Sequence, residues 1–398
     1  MSFIKKIKCA AIILLAAVLS LGPIVRFVSP MSVNAAVSQN GDAEASEMTL
    51  ECKSAILMEA NTGAVLFEQN ADRALPPASV TKIMTLLLVM EAIEQGKINL
   101  DDTVTASAHA ASMGGSQIYL KEGEQMSVED MLKSVVISSA NDAACALAEF
   151  VSGSEEAFVR QMNERATELG MKNTTFENTN GLDDTAQNHL TSARDIAIMS
   201  RELIRHKKIL EYSSIWMDTI RGGMFGLTNT NRLVRFYRGC TGLKTGSTSK
   251  AGFCISATAE RDGVSLICVI MGAETRDVRN ALATRLLDYG FANYGVYLHE
   301  PKALDSLRVK CGTKDIVSVR YDAFEITLPK TDISKVKYAI TLPEYVTAPL
   351  KKGDAVGEIT FTLDGREIGK SPIYADEEIS KISFMELWLR ILAKFLLK

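Results

Sequence analysis

The sequence predicts an α+β fold, an antiparallel sheet with a segregated helical block, followed by a small all-β region and a terminal amphipathic helix. Three observations point there. Strand-like runs at 52–69 and 238–271 enclose a long stretch that is apolar at helical spacing. After Val296 the texture changes to short alternating runs separated by Gly and Pro. From Ile379 onward, charges recur every four positions among apolar residues.

The elements follow in order. Lys5, Lys6 and Lys8 precede an apolar run from Cys9 to Leu21, and Val33-Asn34-Ala35 offers the small residues a signal peptidase reads. Residues 1–35 are therefore expected to be a signal peptide, since the apolar run is short for a span and Pro23 and Arg26 follow it. Residues 36–47 read as a polar linker. Residues 52–69 read as two strands around an Asn61-Thr62-Gly63 turn. A helix is expected from Ser79 to about Gln95 behind Pro76-Pro77, with others over 127–151 and 155–169. Another should run from Thr191 or Ser192 to about Arg205, with Thr191 as a candidate cap and Asp195 in its first turn. Strands GCTGLKTG, AGFCISATAE and GVSLICVIMG follow, and a last helix fits 277–290. These make one region over 48–295, with the all-β region over 296–376 and the amphipathic segment over 377–398. In that segment Glu386, Arg390, Lys394 and Lys398 form one stripe, and Trp388, Phe395 and several Leu and Ile cover the rest. Such a helix is expected to lie in a membrane interface, not to cross it.

Composition narrows the function. The 398 residues are 47% hydrophobic and 23% charged, which excludes disorder and leaves room for two folded units. The net charge of −4 gives no basic footprint for nucleic acid, and loss of residues 1–35 would carry it to −8. Cys52, Cys145, Cys240, Cys254, Cys268 and Cys311 form no C-x-x-C pair, and several sit in apolar runs, so buried thiols are expected over disulfides.

Only four histidines are present, far apart, and no G-x-S-x-G elbow occurs, so a Ser-His-Asp hydrolase has little support. Asp183, Asp184 and His189 lie in a polar loop and make a poor metal site. Ser79-Val80-Thr81-Lys82 is the better candidate: residues three apart share a helical face, so an amine can reach a hydroxyl. A buried lysine among cations can act as a base without histidine. Taken alone, S-x-x-K is cheap, since it recurs at Ser2, Ser247 and Ser334. Two further pieces sharpen it: Ser139-Ala140-Asn141 in a helical segment, and Lys244-Thr245-Gly246 on an expected strand.

The ordered set S-x-x-K, S-x-N, K-T-G resembles the penicillin-recognising serine enzymes. PPASVTKIMT, SSANDAACALAE, GLKTGSTSKAGFC and MGAETR are similar to the low-molecular-mass penicillin-binding proteins that act as D-alanyl-D-alanine carboxypeptidases. The resemblance spans nearly the whole chain and implies a β-lactamase/transpeptidase-like catalytic domain with no cofactor or metal. It implies peptidoglycan stem peptides ending in D-Ala-D-Ala as substrate, β-lactam antibiotics as inhibitors, and a site on the outer face of the cytoplasmic membrane. By the same resemblance Ser79 is the nucleophile, Lys82 its base and Ser139 a proton relay. Asn141 would hold the substrate amide, Lys244 and Thr245 its carboxylate, and Gly246 would let the peptide approach the strand. The backbone N–H groups of Ser79 and Ser247 would form the oxyanion hole. Arg232 and Arg279 are weaker candidates for the carboxylate. Ser247 departs from relatives with threonine or histidine there. A class A β-lactamase shares the motifs but needs a glutamate in an E-x-x-L-N setting, which is missing. A transpeptidase, and a relative with a silent site, share the remaining features.

Overall fold

The computed structural model describes residues 48–183 and 186–396. The expected signal peptide and linker, Asp184 and Lys398 lie outside the described residues. The central sheet has five antiparallel strands: β1 (Ser54–Glu59), β2 (Val65–Gln69), β3 (Cys240–Thr248), β4 (Gly252–Arg261) and β5 (Val264–Ala273), in the order β2-β1-β5-β4-β3. Its apolar runs look continuous because both faces are buried. Ile56, Met58, Ile267 and Val269 face one core, and Ala55, Leu57, Leu266 and Cys268 alternate with them into the other.

The helical block covers the first face. It comprises α1 (Lys82–Glu94), α2 (Val128–Ile137), α3 (Asn141–Ser152), α4 (Glu155–Glu168) and α5 (Ala193–Leu203). Helix α1 is apolar on nearly every side, as befits a helix buried all round. The second face is covered by α6 (Arg276–Asn293) through Leu282, Leu286 and Leu287.

Four local expectations need correction. Ser79 lies not in a helix but in a 3-10 turn, Ala78–Thr81, that leads into α1. The segment 127–151 is two helices, because the chain breaks at Ser139, whose φ is +64°. Ser192, not Thr191, caps α5 by accepting the Asp195 N–H, while the Thr191 backbone pairs with Leu75. The last helix of this region ends at Asn293, and a strand starts at once with Tyr294.

The rest of the chain is all β until its last helix. Tyr294–His299 pairs with Phe324–Pro329, Leu307–Lys310 lies between two short strands, and Ala355–Leu363 and Arg366–Ala375 form the centre of a four-stranded sheet. Its core gathers around Ile359, Phe361 and Ile373, with the Phe361 ring stacked on Phe324 at 4.0 Å between centroids. Ile379 and Lys381 make single bridges back to this region, so the terminal helix α7 starts only at Phe384 and runs to Leu396. No helix among the described residues is long and apolar enough to cross a membrane. Of the cysteines, Cys145, Cys254 and Cys268 are buried and unpaired as expected; Cys311 departs from the expectation and is exposed.

Phe361 tests whether the two parts are energetically separate. Phe361→Ala should lower the stability of the β region by about 3–5 kcal/mol, and calorimetry should show that transition moving alone while acylation by labelled penicillin persists.

Candidate active site

The three motifs meet where the 3-10 turn lies against β3, the edge strand of the sheet. The close approach is possible because position 246 is glycine. A Cβ there would stand 2.7 Å from the Ser79 nitrogen and 2.9 Å from that of Val80. Gly181 presses on the same turn from behind at φ +86°, where a Cβ would collide with the Ala78 carbonyl. Thr81 is held by His189: ring Nδ1 accepts the Glu177 N–H, so Nε2 carries the hydrogen and donates to Thr81 Oγ1 at 2.7 Å. Burial lowers the His189 pKa to about 4, and both nitrogens are occupied, which disposes of it as a metal ligand.

Lys82 is wholly buried, with Nζ 2.8 Å from Ser79 Oγ, and donates to the Asn180 carbonyl, also at 2.8 Å. Burial, and then the charge of Lys244, push its pKa well below the ordinary lysine value against an opposing pull from Asp142. The Asn180 carbonyl is itself fixed. Glu155 Oε1 accepts from the N–H and hydroxyl of neighbouring Thr179, and the Thr179 carbonyl accepts from Thr85.

Asn141 opens α3, with its side-chain N–H donating to the Gly114 carbonyl and its Oδ1 buried without a partner among the described residues. Ser139 precedes it and is buried except for a small face on the cavity. On β3, Lys244 is buried, and burial together with Arg279 brings its pKa to about 7. Thr245 Oγ1 donates to Thr230 Oγ1 at 2.8 Å.

A cavity of about 490 Å³ opens beside these groups, and Ser79, Ser139, Thr245, Gly246, Ser247, Arg232 and Arg279 reach its wall. Lys82, Asn141 and Lys244 are buried and are not part of its wall. Arg232 is exposed and Arg279 buried, the latter donating to Asn280 Oδ1 and the Cys254 carbonyl. Burial and Arg276 lower the Arg279 pKa to about 10. Among the described residues no carboxylate forms an ion pair with Arg232, Arg276, Arg279 or Lys244. Sequence reasoning missed Arg276, three residues before Arg279 and so on the same helical face. It also missed Trp216, Ser116, Thr230, Glu155 and the Asn180 carbonyl. A carbonyl leaves no signature in a sequence.

The arrangement holds what serine acyl transfer needs: a hydroxyl beside a dry amine, a second hydroxyl, an amide, a strand edge, and cations at one end of a cavity. The chain matches the D-alanyl-D-alanine carboxypeptidase family, peptidase S11, over residues 41–275. Residues 300–381 match the penicillin-binding protein 5 C-terminal domain. It is 42% identical over 347 residues to D-alanyl-D-alanine carboxypeptidase DacF of Bacillus subtilis, covering 85% of this chain and 89% of that one. The fold is similar to penicillin-binding protein 5 from Haemophilus influenzae, with a TM-score of 0.69 and 34% identity over 84% of this chain and 99% of that one. It is also similar to penicillin-binding protein D2 from Listeria monocytogenes in an ampicillin-bound form, with a TM-score of 0.57 and 33% identity over 61% of this chain and 98% of that one.

Gly246→Ala should force β3 away from the turn. A displacement near 1 Å is expected to cost about 100-fold in the rate of Ser79 acylation, read with labelled penicillin, with little change in thermal stability.

Proposed function

The chain belongs to the D-alanyl-D-alanine carboxypeptidase family, peptidase S11, serine penicillin-recognising enzymes that act on peptidoglycan, and on that premise we propose that Ser79 and Lys82 are its nucleophile and base. The enzyme removes the terminal D-alanine from stem peptides ending in D-Ala-D-Ala. The observation that carries the assignment is Lys82, buried, depressed in pKa and 2.8 Å from Ser79 Oγ.

A neutral Lys82 amine presents its lone pair to the Ser79 hydroxyl. Ser79 Oγ attacks the carbonyl carbon between the two D-alanines as its proton passes to Lys82 Nζ. The backbone N–H groups of Ser79 and Ser247 receive the developing oxyanion. The C–N bond then breaks, the leaving amine takes a proton through Ser139 Oγ, and free D-alanine departs. Water hydrolyses the Ser79 ester and restores the hydroxyl. In penicillin the strained amide opens but the amine stays attached, which favours a trapped acyl-enzyme.

The substrate backbone adds to the free edge of β3, beside Gly246. Asn141, whose Oδ1 lacks a partner among the described residues, receives a substrate amide or the Lys82 amine. Lys244, Thr245, Arg279 and Arg232 take the terminal carboxylate, which supplies the counter-charge these cations lack among the described residues.

The enzyme works at the cell wall. Residues 1–35 direct export and residues 36–47 link them to a catalytic domain at 48–295, with the all-β domain at 296–376. Residues 377–398, through α7, rest on the outer face of the cytoplasmic membrane. Phe384, Trp388 and Phe395 are exposed there, with Arg390 on the opposite stripe bonded to Asp315. An apolar face left open to water on a helix this short supports an interfacial role.

Labelled penicillin should mark wild-type protein at Ser79, and a D-Ala-D-Ala pentapeptide should lose one alanine; absence of both would refute the assignment. Activity should be bell-shaped in pH. It rises as Lys82 loses its proton, and it falls above about 7, where Lys244 in the free enzyme loses the charge that binds carboxylate. Lys244→Arg should keep its charge and lose the alkaline fall in kcat/KM, measured by D-alanine release. Deleting residues 384–398, which spares the bridges made by Ile379 and Lys381, should shift the protein from membrane to soluble fraction, and unchanged pelleting would refute the anchor.

A further inference from the structure

A second cluster of chemically able side chains lies behind the catalytic centre. Cys145 and Glu149 are one turn apart on α3, and His109 comes from the short helix Ala108–Ala111. The His109, Cys145 and Glu149 donor atoms all lie within 4.8 Å of one another. Glu155, in the first turn of α4, adds a fourth group, with Oε2 2.7 Å from His109 Nε2 and 3.7 Å from Cys145 Sγ.

A thiol here is in a costly place. It is buried, and its S–H donates to a carboxylate, that of Glu155. Burial, Glu149, Glu155 and Glu156 together hold its proton on tightly. His109 is the one cation paired with this group among the described residues. A dication placed between the four donors would offset that excess of negative charge.

We propose that His109, Cys145, Glu149 and Glu155 form a binding site for a zinc-class divalent cation. Sulfur, imidazole and carboxylate together are the donors such an ion takes in tetrahedral geometry. Neighbouring ligand atoms around zinc stand roughly 3.5 Å apart, so the cluster must close by about 1 Å. The two movable members can supply that, since His109 is half exposed and Glu149 is partly so, while Cys145 stays fixed in the core. Binding replaces the thiol S–H bond with a metal–sulfur bond and the imidazolium N–H of His109 with a metal–nitrogen bond, so one proton from each leaves to solvent. Entry is open, because His109 and Glu155 line a cavity of about 780 Å³. The other oxygen of Glu155 holds Thr179, whose neighbour Asn180 holds Lys82, so the ion would stand at the far end of a hydrogen-bonded chain from the base.

The test uses the full-length protein stripped with a chelator and titrated with zinc chloride against a chromophoric competitor. One ion per chain is expected, weakened at least tenfold in both Cys145→Ser and His109→Ala. Cobalt(II) should give a thiolate charge-transfer band that Cys145→Ser abolishes. No binding to wild type, or binding of equal strength in both variants, overturns the site. Cys145→Ser should be acylated by labelled penicillin at the wild-type rate, showing that its fold is intact. His109→Ala alters only a half-exposed side chain and keeps the comparison independent of the core.

Discussion

A lysine ammonium buried without a carboxylate costs several kcal/mol, and burial accordingly pushes the Lys82 pKa well below the ordinary lysine value, toward the neutral amine. The requirement governs everything around it. The amine must be dry, so α1 is buried on nearly every side. It must have somewhere to place its N–H bonds, and the Asn180 carbonyl takes one. It must not meet a carboxylate close by, and Asp142 is turned to the backbone N–H groups of Ile118 and Leu120 instead. Lys244 adds a like charge that keeps the proton off. The site is a small region of deliberate electrostatic discomfort, supported by a large, ordinary apolar core.

That support comes from unremarkable parts. The edge strand lies close to Ser79 because Gly246 has no side chain, and the turn is braced behind by Gly181 and by a neutral histidine. The break at Ser139 is also structural in cause. Asn141 must begin a new helix, so Ser139, two residues earlier, takes the positive φ that lets the chain change direction. A non-glycine residue held there at a site is strain that the neighbouring packing must sustain.

The sheet, the helical block and the β-rich tail were legible in the sequence because burial on two faces, helical periodicity and strict alternation leave different patterns. Ser79, Lys82 and Lys244 were legible because the spacing of S-x-x-K and the single K-T-G are rare together. What remained hidden has physical reasons. Helix continuity over 127–151 reads well on propensity, yet one left-handed residue in the middle has no residue type that announces it. Thr191 and Ser192 are equally able caps, and only the pairing of Thr191 with Leu75 decides between them. Glu155 looks like any acid at a helix start, and its tie to Thr179 spans 24 positions. Cys311 stands just past the end of the strand Leu307–Lys310 with φ +60°, a backbone conformation that a cysteine in the sequence does not announce.

The unpaired cations at one end of the cavity have a consequence for length. A chain terminus brings its own negative charge, whereas the interior of a peptide brings none. Arg279 and Lys244 are anchored by burial and cannot retreat to admit further residues. In the proposed assignment Ser79 and this positive wall together tell a charged chain end from an uncharged chain interior, and the cross-linked interior of the wall is left uncut.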